Sequence, residues 1–223
     1  MRNVAVFNSI DFENWERKEY YNYYINIIKC RYSMTVNIDV TELLSVCKDR
    51  NVKFFNAFMY AILKTVNSHK EFRMAKDKDG NLGYWDYVVP TYTIFHKDTE
   101  TFSDIWSEYS DDFSVFYDET LKDMENYKDV HKIKAREDFP PNTCPISCVP
   151  WITFSGYSID APVDAPMLIP VFTFGKYFNE GEKIKVPLAM YIHHAVADGF
   201  HTSRLFNDIQ LLCDNSRDWI YKR

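Results

Sequence analysis

The sequence predicts an α/β fold in which a mixed β-sheet is covered by helices. Strand-like and helix-like stretches are interspersed along the chain without a strict βαβ alternation, which favours a mixed sheet over a parallel one. Hydrophobic residues make up 46% of the 223 residues, which is enough for a packed interior. This length is within the range of one large α/β domain, so we predict a single domain over residues 1–223.

The N-terminal part of the chain predicts a helix, a strand and a second helix. The stretch NWERKEYYNYYINIIK, residues 14–29, has apolar residues at helical spacing, and Asn14 is a suitable N-cap. Residues 32–50 alternate polar and apolar positions like a strand and then become helical, with Asp39 or Thr41 as the cap.

The middle of the chain predicts a core helix, a hairpin and a long surface helix. Residues 54–72 form a strongly apolar helical run. Residues 77–86 contain an Asp-Gly pair that suits a tight hairpin turn, and residues 91–97 have the pattern of a strand. Residues 101–127 predict one long amphipathic helix with acidic residues on its solvated side.

The C-terminal part predicts a loop, three strands and a final helix. Residues 128–145 are polar and contain prolines, which favours a loop within the domain. Three strand-like runs follow, at residues 146–159, 167–178 and 183–194. The last helix, over residues 198–213, has one apolar face made of Leu205, Ile209, Leu212 and Cys213.

The composition argues against several classes of protein. A net charge of −6 disfavours a nucleic-acid-binding protein, because contact with phosphates needs a basic face. Five cysteines without a C-x-x-C pair favour reduced thiols over disulfides or a zinc ribbon. No window approaches about 20 uninterrupted apolar residues, and the first apolar run is too short for a secretory signal. We therefore predict a cytoplasmic protein without nucleic-acid or membrane partners.

The stretch IHHAVADGFH, residues 192–201, is the strongest candidate for chemistry. His193 and His194 end a strand-like run, where side chains can project from a rigid edge into a cleft. Asp198 precedes a helix and could simply be its N-cap. Alternatively, Asp198 is a buried carboxylate, which requires a cationic partner because an unpaired buried charge is strongly destabilising.

The segment HHAVADG matches an H-H-x-x-x-D-G signature, and NWERKEYY, EFRMA, YTIFHKDTETFS, VPWITF and FGKYF accompany it. Together these segments resemble the type A chloramphenicol acetyltransferases, from about residue 10 to residue 213. Carnitine acyltransferases, dihydrolipoamide acyltransferase cores and peptide-synthetase condensation domains are similar in the signature alone. The order and spacing of the other segments, and the short length, single out the resistance enzymes.

The resemblance implies the fold of the CoA-dependent acyltransferases, a two-layer sandwich of a mixed sheet and helices. It also implies direct transfer of acetyl from acetyl-CoA to the primary hydroxyl of chloramphenicol in a ternary complex, without an acyl-enzyme and without a metal. The family forms homotrimers whose active sites lie at subunit interfaces. The expected partners are therefore chloramphenicol, acetyl-CoA and further copies of this chain.

Five residues match the catalytic machinery of that family. His194 matches the general base, which is held by a hydrogen bond from its other ring nitrogen to its own carbonyl oxygen. Ser147 matches the donor to the oxyanion, and Thr173 matches a threonine that binds a water nearby. Asp198 and Arg17 match a salt bridge that supports the active-site loop.

Further positions match the binding surfaces of the family, where rings suit a nitrophenyl group or pantetheine and an ammonium suits phosphate. The residues that match the chloramphenicol pocket are Tyr24, Ile28, Cys30, Phe102, Tyr157, Ile159 and Val171. The residues that match the CoA tunnel are Trp151, Lys176, Tyr177 and Lys53. The sequence has no glycine-rich phosphate loop, so a nucleotide cradle of that kind is not supported.

Two positions differ from the common pattern of the family. Ala197 stands where cysteine is frequent, and Tyr191 stands where glutamine is frequent. The first change is expected to matter little. Tyr191 lies on the same side of its strand as His193 and could alter the pocket. His193 itself matches a structural position rather than a catalytic one.

Three alternatives stay open on the sequence. The first is a CoA-dependent acyltransferase for another alcohol, amine or dihydrolipoyl thiol, although these residues include no lipoyl or peripheral-binding domain. The second is a non-catalytic binder with the same fold. The third is a metal site, although the local spacing is not a standard ligand set. Its candidate ligands are His193, His194 and His201, or Cys144 and Cys148.

Overall fold

The computed structural model describes residues 4–160 and 167–221 of the chain. Its strands are β1 (Phe7–Ser9), β2 (Arg31–Asp39), β3 (Met74–Lys76), β4 (Leu82–Trp85), β5 (Val89–His96), β6 (Thr101–Trp106), β7 (Thr143–Val149), β8 (Val171–Gly175), β9 (Phe178–Glu180) and β10 (Lys183–His193). Its α-helices are α1 (Lys18–Asn22), α2 (Thr41–Asp49), α3 (Phe54–Ser68), α4 (Phe113–Tyr127) and α5 (Gly199–Asp214).

The larger of the two sheets is mixed, as the sequence predicts. Its strands follow the order β2-β10-β8-β7-β5-β6, and β9 pairs with the beginning of β10. β7 runs parallel to both β5 and β8, whereas the other neighbouring pairs are antiparallel. A smaller antiparallel sheet has the order β1-β4-β3.

The helices α2 to α5 form a second layer on the large sheet. They pack against one another and against β2, β5, β6 and β10. Ten of the 15 residues of α3 are buried, because its apolar side chains extend around most of the helix. In α5 the predicted apolar face is buried at Leu205, Ile209 and Cys213. The predicted two-layer arrangement is therefore confirmed.

The first predicted helix is much shorter than the apolar spacing indicated. Residues 14–29 contain α1 and a π-helical turn at Tyr23–Ile27, and Arg17 occupies the N-cap position. Asn14 caps no helix because its side-chain amide donates to the Asp11 carboxylate at 2.7 Å. That local turn delays the start of the helix, so the prediction of Asn14 as the cap was wrong.

The predicted hairpin is confirmed, whereas the predicted cap of the second helix was wrong. Gly80 has a φ of +86° in the turn between β3 and β4, which are antiparallel as the Asp-Gly pair predicts. The N-cap position of α2 is Val40, so neither Asp39 nor Thr41 is the cap. Asp39 precedes the cap and accepts hydrogen bonds from the Thr41 amide at 3.1 Å and the Thr41 hydroxyl at 2.6 Å.

The single long helix predicted over residues 101–127 was wrong. Residues 101–106 form β6, which pairs antiparallel with β5, and the helix begins only at Phe113. Burial alternates within the strand, since Ser103 and Ile105 are buried while Phe102 is exposed. The carboxylate of Asp112 caps α4 by accepting from the Ser114 amide at 2.7 Å, which fixes the helix start at that point.

The strand-like run at residues 146–159 is a strand only as far as Val149. The segment 150–157, which we call the strap, continues without regular structure past the end of β8 and reaches the middle of β2. The Lys176 amide donates to the Ile152 carbonyl at 2.9 Å, and the Tyr157 amide donates to the Thr35 hydroxyl at 3.3 Å. A Cβ at Gly175 would lie 2.8 Å from the Phe154 ring, so this close crossing requires glycine there.

In residues 4–160 and 167–221, none of the helices combines the length and the apolar character that a bilayer span requires.

Candidate active site

The predicted site residues form two groups at different places in the fold. The first group surrounds the end of β10 and contains Arg17, Tyr24, Ile28, Cys30, His194 and Asp198. The second group lines a cavity at the ends of β7 and β8 and contains Phe102, Ser147, Trp151, Tyr157, Lys176 and Tyr177. We call these the base group and the cavity group.

His194 directly follows β10 and is half-buried. Its backbone N–H donates to the carbonyl oxygen of Cys30 at 2.9 Å. The imidazole stacks on the ring of Tyr24, with centroids 3.9 Å apart and an angle of 5° between the planes. The ring of Tyr32 meets the imidazole edge-on, with centroids 5.2 Å apart. Two aromatic side chains thus hold the ring at the end of the strand.

The buried ring nitrogen of His194 is Nδ1, which has no hydrogen-bond partner among residues 4–160 and 167–221. The hydrogen bond to its own carbonyl oxygen, which the resemblance implies, is not found. Burial of Nδ1 leaves Nε2 as the nitrogen that can meet a substrate. Nε2 accepts a proton only in the tautomer that carries its hydrogen on Nδ1.

His193 has a different environment from its neighbour. Its side chain is buried, and Nδ1 accepts a hydrogen bond from the Ala195 amide at 3.1 Å. Burial lowers the pKa of His193 to about 4, and the nearby positive side chain of Arg31 lowers it further. These contacts support the predicted structural role, because a neutral, enclosed ring that accepts a backbone hydrogen bond is suited to packing.

The burial of His193 predicts that the protein loses stability in mild acid. The unfolded chain binds a proton at this residue near pH 6.5, whereas the folded chain binds it only near pH 4. Stability is therefore fully present above pH 6.5 and falls as the pH drops toward 4, by up to about 3 kcal/mol. We expect this slope in denaturant unfolding between pH 7 and 4 at constant protein concentration.

The His193→Asn variant provides the comparison for that measurement. Its amide oxygen can accept from the Ala195 amide in place of Nδ1 but does not titrate in this range. The variant should show a clearly flatter dependence on pH. Equal slopes for the variant and the wild type would show that protonation of another group destabilises the fold.

Asp198 is both a helix cap and an ion-pair partner. One carboxylate oxygen accepts from the Phe200 amide at 3.1 Å at the start of α5. The other accepts from Arg17 at 2.9 Å, and His201 Nδ1 lies 2.8 Å from the first. Burial alone would raise the pKa of Asp198, but hydrogen bonds from Arg17 and His201 outweigh it and lower the pKa to about 2. Asp198 therefore joins the segment after His194 to the N-terminal region.

The cavity group lines a space of about 880 Å³. Most of its lining is aromatic, and Lys176 carries the one charged side chain among the described lining residues. The strap forms one wall with Trp151 and Tyr157, and β6 contributes Phe102. An apolar space of this size with a single cation suits an elongated ligand that carries negative charge at one end.

Ser147 and Thr173 lie side by side in the sheet. Ser147 is opposite Thr173, which is in turn opposite Ala189 on β10. Side chains in such a row point to the same face of the sheet. Thr173 is buried, whereas Ser147 is partly exposed and lines the cavity. Ser147 is thus the hydroxyl of this pair that can reach a ligand in the cavity.

The strand register separates Ser147 from the histidine pair within one chain. Ser147 is two strands away from Ala189, and His193 is four residues further along β10. With about 3.3 Å per residue and about 4.8 Å between strands, the Cα atoms of Ser147 and His193 are roughly 16 Å apart. The side chains of Ser147 and His194 from the same chain are therefore too far apart to contact the same small reacting group.

Besides the buried Thr173, three other predicted site residues lie outside both groups. Val171 is at the opposite end of β8 from the cavity, pairs with Tyr191, and lines a separate groove of about 270 Å³. Lys53 is exposed at the N-cap position of α3 and precedes Phe54, which does line the cavity. Ile159 is half-buried just beyond the strap.

Several residues of the site were missed by the sequence analysis because they resemble ordinary core residues. Tyr32 contacts His194, although its strand pattern gave no indication of this. The missed residues of the cavity include Phe54, Phe55, Thr93, Phe95 and Phe174. The available signal was that Thr93 and Phe95 are two residues apart in one predicted strand. This spacing places both side chains on the same side of β5.

In the described part of the chain, no group of three or more His, Cys, Asp or Glu side chains lies close enough together to hold a metal ion. His193 accepts from the Ala195 amide and His201 contacts Asp198. Cys148 lines the cavity, and burial raises the pKa of its thiol to about 12, so it is protonated at neutral pH.

Comparison with known sequences gives one family over nearly the whole chain. A family model described as chloramphenicol acetyltransferase matches residues 5–210. A chloramphenicol acetyltransferase of Clostridium perfringens is 47% identical over 96% of this chain and 98% of its own length. Similar proteins of the same description occur in Clostridium butyricum, with 45% identity over 96% and 98%, and in Vibrio anguillarum, with 42% identity over 92% and 93%.

Comparison with solved structures supports the same fold. A chloramphenicol acetyltransferase superimposes with a TM-score of 0.83 and 24% identity over 93% of this chain and 100% of its own. The dihydrolipoamide acetyltransferase of Azotobacter vinelandii superimposes with a TM-score of 0.66 and 12% identity over 98% and 95%. These likenesses show that the chain has the fold of CoA-dependent acyltransferases, as the resemblance implied.

Proposed function

Because the chain belongs to the chloramphenicol acetyltransferase family, we propose that it transfers the acetyl group of acetyl-CoA to the primary hydroxyl of chloramphenicol. The match over residues 5–210, with the histidine of the H-H-x-x-x-D-G signature held at the end of β10, is the observation that carries this proposal. The product is an ester of the antibiotic, and its formation confers resistance.

His194 is the general base of the proposed reaction. A hydroxyl is a weak nucleophile at neutral pH, so it must lose its proton as the oxygen attacks the thioester carbonyl. The imidazole is half-buried between Tyr24 and Tyr32, and its Nδ1 faces the protein. Nε2 is thus the atom that takes the proton and later returns it to the departing thiolate of CoA. No acyl-enzyme is needed.

Ser147 is the donor to the oxyanion in this mechanism. The attack of the hydroxyl converts the thioester carbonyl into a tetrahedral oxyanion, which a preplaced hydroxyl donor can stabilise. Ser147 meets this requirement because it is fixed in a central strand and lines the cavity. The buried Thr173 beside it would hold a water molecule near the same intermediate.

The cavity is the binding site that we assign to acetyl-CoA. Adenine is a flat ring and pantetheine is a chain with apolar stretches. Both can pack against the exposed rings of Trp151 and Tyr177. Lys176 supplies positive charge for a phosphate, and Lys53 stands beside the lining residue Phe54 at the rim. This arrangement brings the thioester carbonyl toward Ser147.

The chloramphenicol pocket is proposed to combine residues of both groups. Phe102 and Tyr157 would approach the drug from the cavity. The residues that would approach it from the base group are Tyr24, Ile28 and Cys30. Val171 and Ile159 would form its outer walls, although neither belongs to the cavity lining of one chain.

We propose a homotrimer with active sites between subunits, as the family resemblance implies, and this division of the site supports a site shared between chains. One chain keeps Ser147 and the histidine pair roughly 16 Å apart by its strand register. The reaction needs His194 at the attacking hydroxyl and Ser147 at the carbonyl that this hydroxyl attacks, so we propose that His194 acts on substrates held at Ser147 of the next subunit. The site is incomplete without a second copy of the chain.

Two different exposed apolar surfaces support a head-to-tail contact between copies. One is the outer side of α1 and its π-helical turn, where Tyr20 is 58% and Ile27 is 70% exposed. The other is the rim of the cavity, where Trp151 is 63% and Phe102 is 51% exposed. Exposed patches of this kind usually mark an interface, and a contact between unlike surfaces forms a ring when its rotation closes. In keeping with this function we also propose that residues 1–223 act as one domain in the cytoplasm.

Release of free thiol from acetyl-CoA tests the proposed function directly. The purified protein should release CoA at a rate that depends on chloramphenicol, because the acetyl group needs the drug as its acceptor. An analogue in which fluorine replaces the primary hydroxyl is the matched control, and it should give only the background rate. Thiol release that is independent of the drug, or equal with the fluoro analogue, would contradict the proposal.

A further inference from the structure

The orientation of the His194 imidazole depends on packing, because no described residue hydrogen-bonds to its Nδ1. Tyr24 covers one face of the ring, and a stacked contact of this kind permits rotation of the imidazole within its own plane. Tyr32 is the neighbour that meets the ring from the side, at an angle of 62° between the planes. Tyr32 therefore restricts the motion that Tyr24 leaves possible.

Tyr32 is itself held at both ends. Its backbone is fixed in β2 opposite Ile192, two residues before His194. Its hydroxyl oxygen lies 2.5 Å from the hydroxyl oxygen of Thr202, which is fully buried in the first turn of α5. Burial raises the pKa of Tyr32, so its hydroxyl keeps its proton at neutral pH and the hydrogen bond persists.

Thr202 lies in the first turn of α5, close to the N-cap residue Asp198. Its backbone N–H donates to the Asp198 carbonyl at 3.0 Å, and the Asp198 carboxylate is paired with Arg17 at 2.9 Å. A continuous path of contacts therefore runs from the capped start of α5, through the two hydroxyl groups, to the edge of the imidazole.

We propose that Tyr32 and Thr202 form a strut that fixes the imidazole of His194 in the orientation needed for proton abstraction. The inference rests on the proposed function of His194 and adds two positioning residues to it. Neither is required to touch the substrate. A small displacement of a base from its productive geometry is costly, since a shift of about 1 Å can lower a rate by up to about 10²-fold.

Variants that delete one hydroxyl each test the strut. Tyr32→Phe retains the ring edge against His194, and Thr202→Val retains the shape of the buried side chain. Each should lower kcat about tenfold or more, with little change in the KM for chloramphenicol or acetyl-CoA. The double variant should be no slower than either single variant, because both remove the same hydrogen bond. In a plot of kcat against pH, the plateau of each variant should be lower than that of the wild type.

Tyr21→Phe is the matched control. It makes the same chemical change at a buried tyrosine whose hydroxyl has no partner in the described structure and whose ring packs on Phe12 and Trp15. This variant should keep the kcat of the wild type.

The possible outcomes distinguish failure of the strut proposal from failure of the proposed function on which it rests. If the wild type shows drug-dependent thiol release and Tyr32→Phe has an unchanged kcat, the strut is wrong and the proposed function stands. The strut is also wrong if the loss is confined to KM, or if the losses of the single variants multiply in the double variant. A wild type without drug-dependent release would overturn both proposals.

Discussion

Replacement of His194 by alanine is expected to lower kcat by about 10²- to 10⁴-fold, the usual contribution of a positioned general base. The chain should still fold, because the imidazole is half-buried at a strand end and not part of the core formed by α3. Acetyl-CoA should still bind, because the cavity assigned to it does not include His194. Thiol release at saturating substrates and calorimetric binding of CoA measure the two quantities separately.

His131→Ala is the control for that experiment. His131 lies in the loop after α4, is 40% exposed, and stacks on His96 rather than on a residue of the site. This variant should turn over at the rate of the wild type. Near-normal turnover in His194→Ala would refute the role of the base, and a simultaneous loss of CoA binding would show that the substitution had damaged the fold.

The parts of the site that could be predicted from the sequence are those whose residues are close together along the chain. The segment from His193 to Gly199 ends one strand and begins one helix, so the places of its histidines and its cap along the chain can be predicted from the local sequence, whereas the orientation of the His194 ring depends on Tyr24 and Tyr32. The mixed sheet and the core helix follow from periodicity in the same way. The pairing of Asp198 with Arg17, 181 residues apart, required the family resemblance.

The cavity could not be predicted because it depends on strand pairing. Phe95 and Phe102 are opposite each other on β5 and β6 and are both exposed on the cavity side. Residues 101–106 have acidic and aromatic residues at spacings that also fit a helix, and only the pairing with β5 makes them a strand. Without that pairing, the lining phenylalanines cannot be distinguished from core residues.

The separation of Ser147 from His194 is a consequence of the register between paired strands of the large sheet. Each residue has a plausible role by itself, and nothing in the sequence indicates that one chain holds them apart. The antiparallel pairing of β10 with β8 places Ala189, and not the histidine pair, beside Thr173 and Ser147. This register is the reason that we propose an active site shared between subunits.

Mixed oligomers of two inactive variants are expected to recover activity if the site is shared. Ser147→Ala alone should lose about 10²- to 10³-fold in kcat, and His194→Ala should lose at least as much. In a ring of three subunits, every mixed trimer has one contact in which an intact His194 meets an intact Ser147 of its neighbour. Such trimers should therefore have about one third of the activity of the wild type, since contacts of a closed ring are all of one kind.

Co-expression with two affinity tags and purification on both isolates the mixed oligomers from their parents. The control is one variant that carries both tags, which passes through the same purification and should stay below about one hundredth of the wild-type rate. Recovery in the mixed sample alone would require His194 and Ser147 from different chains. Mixed oligomers as inactive as the parents would mean that each chain completes its own site, which contradicts the register-based separation of roughly 16 Å.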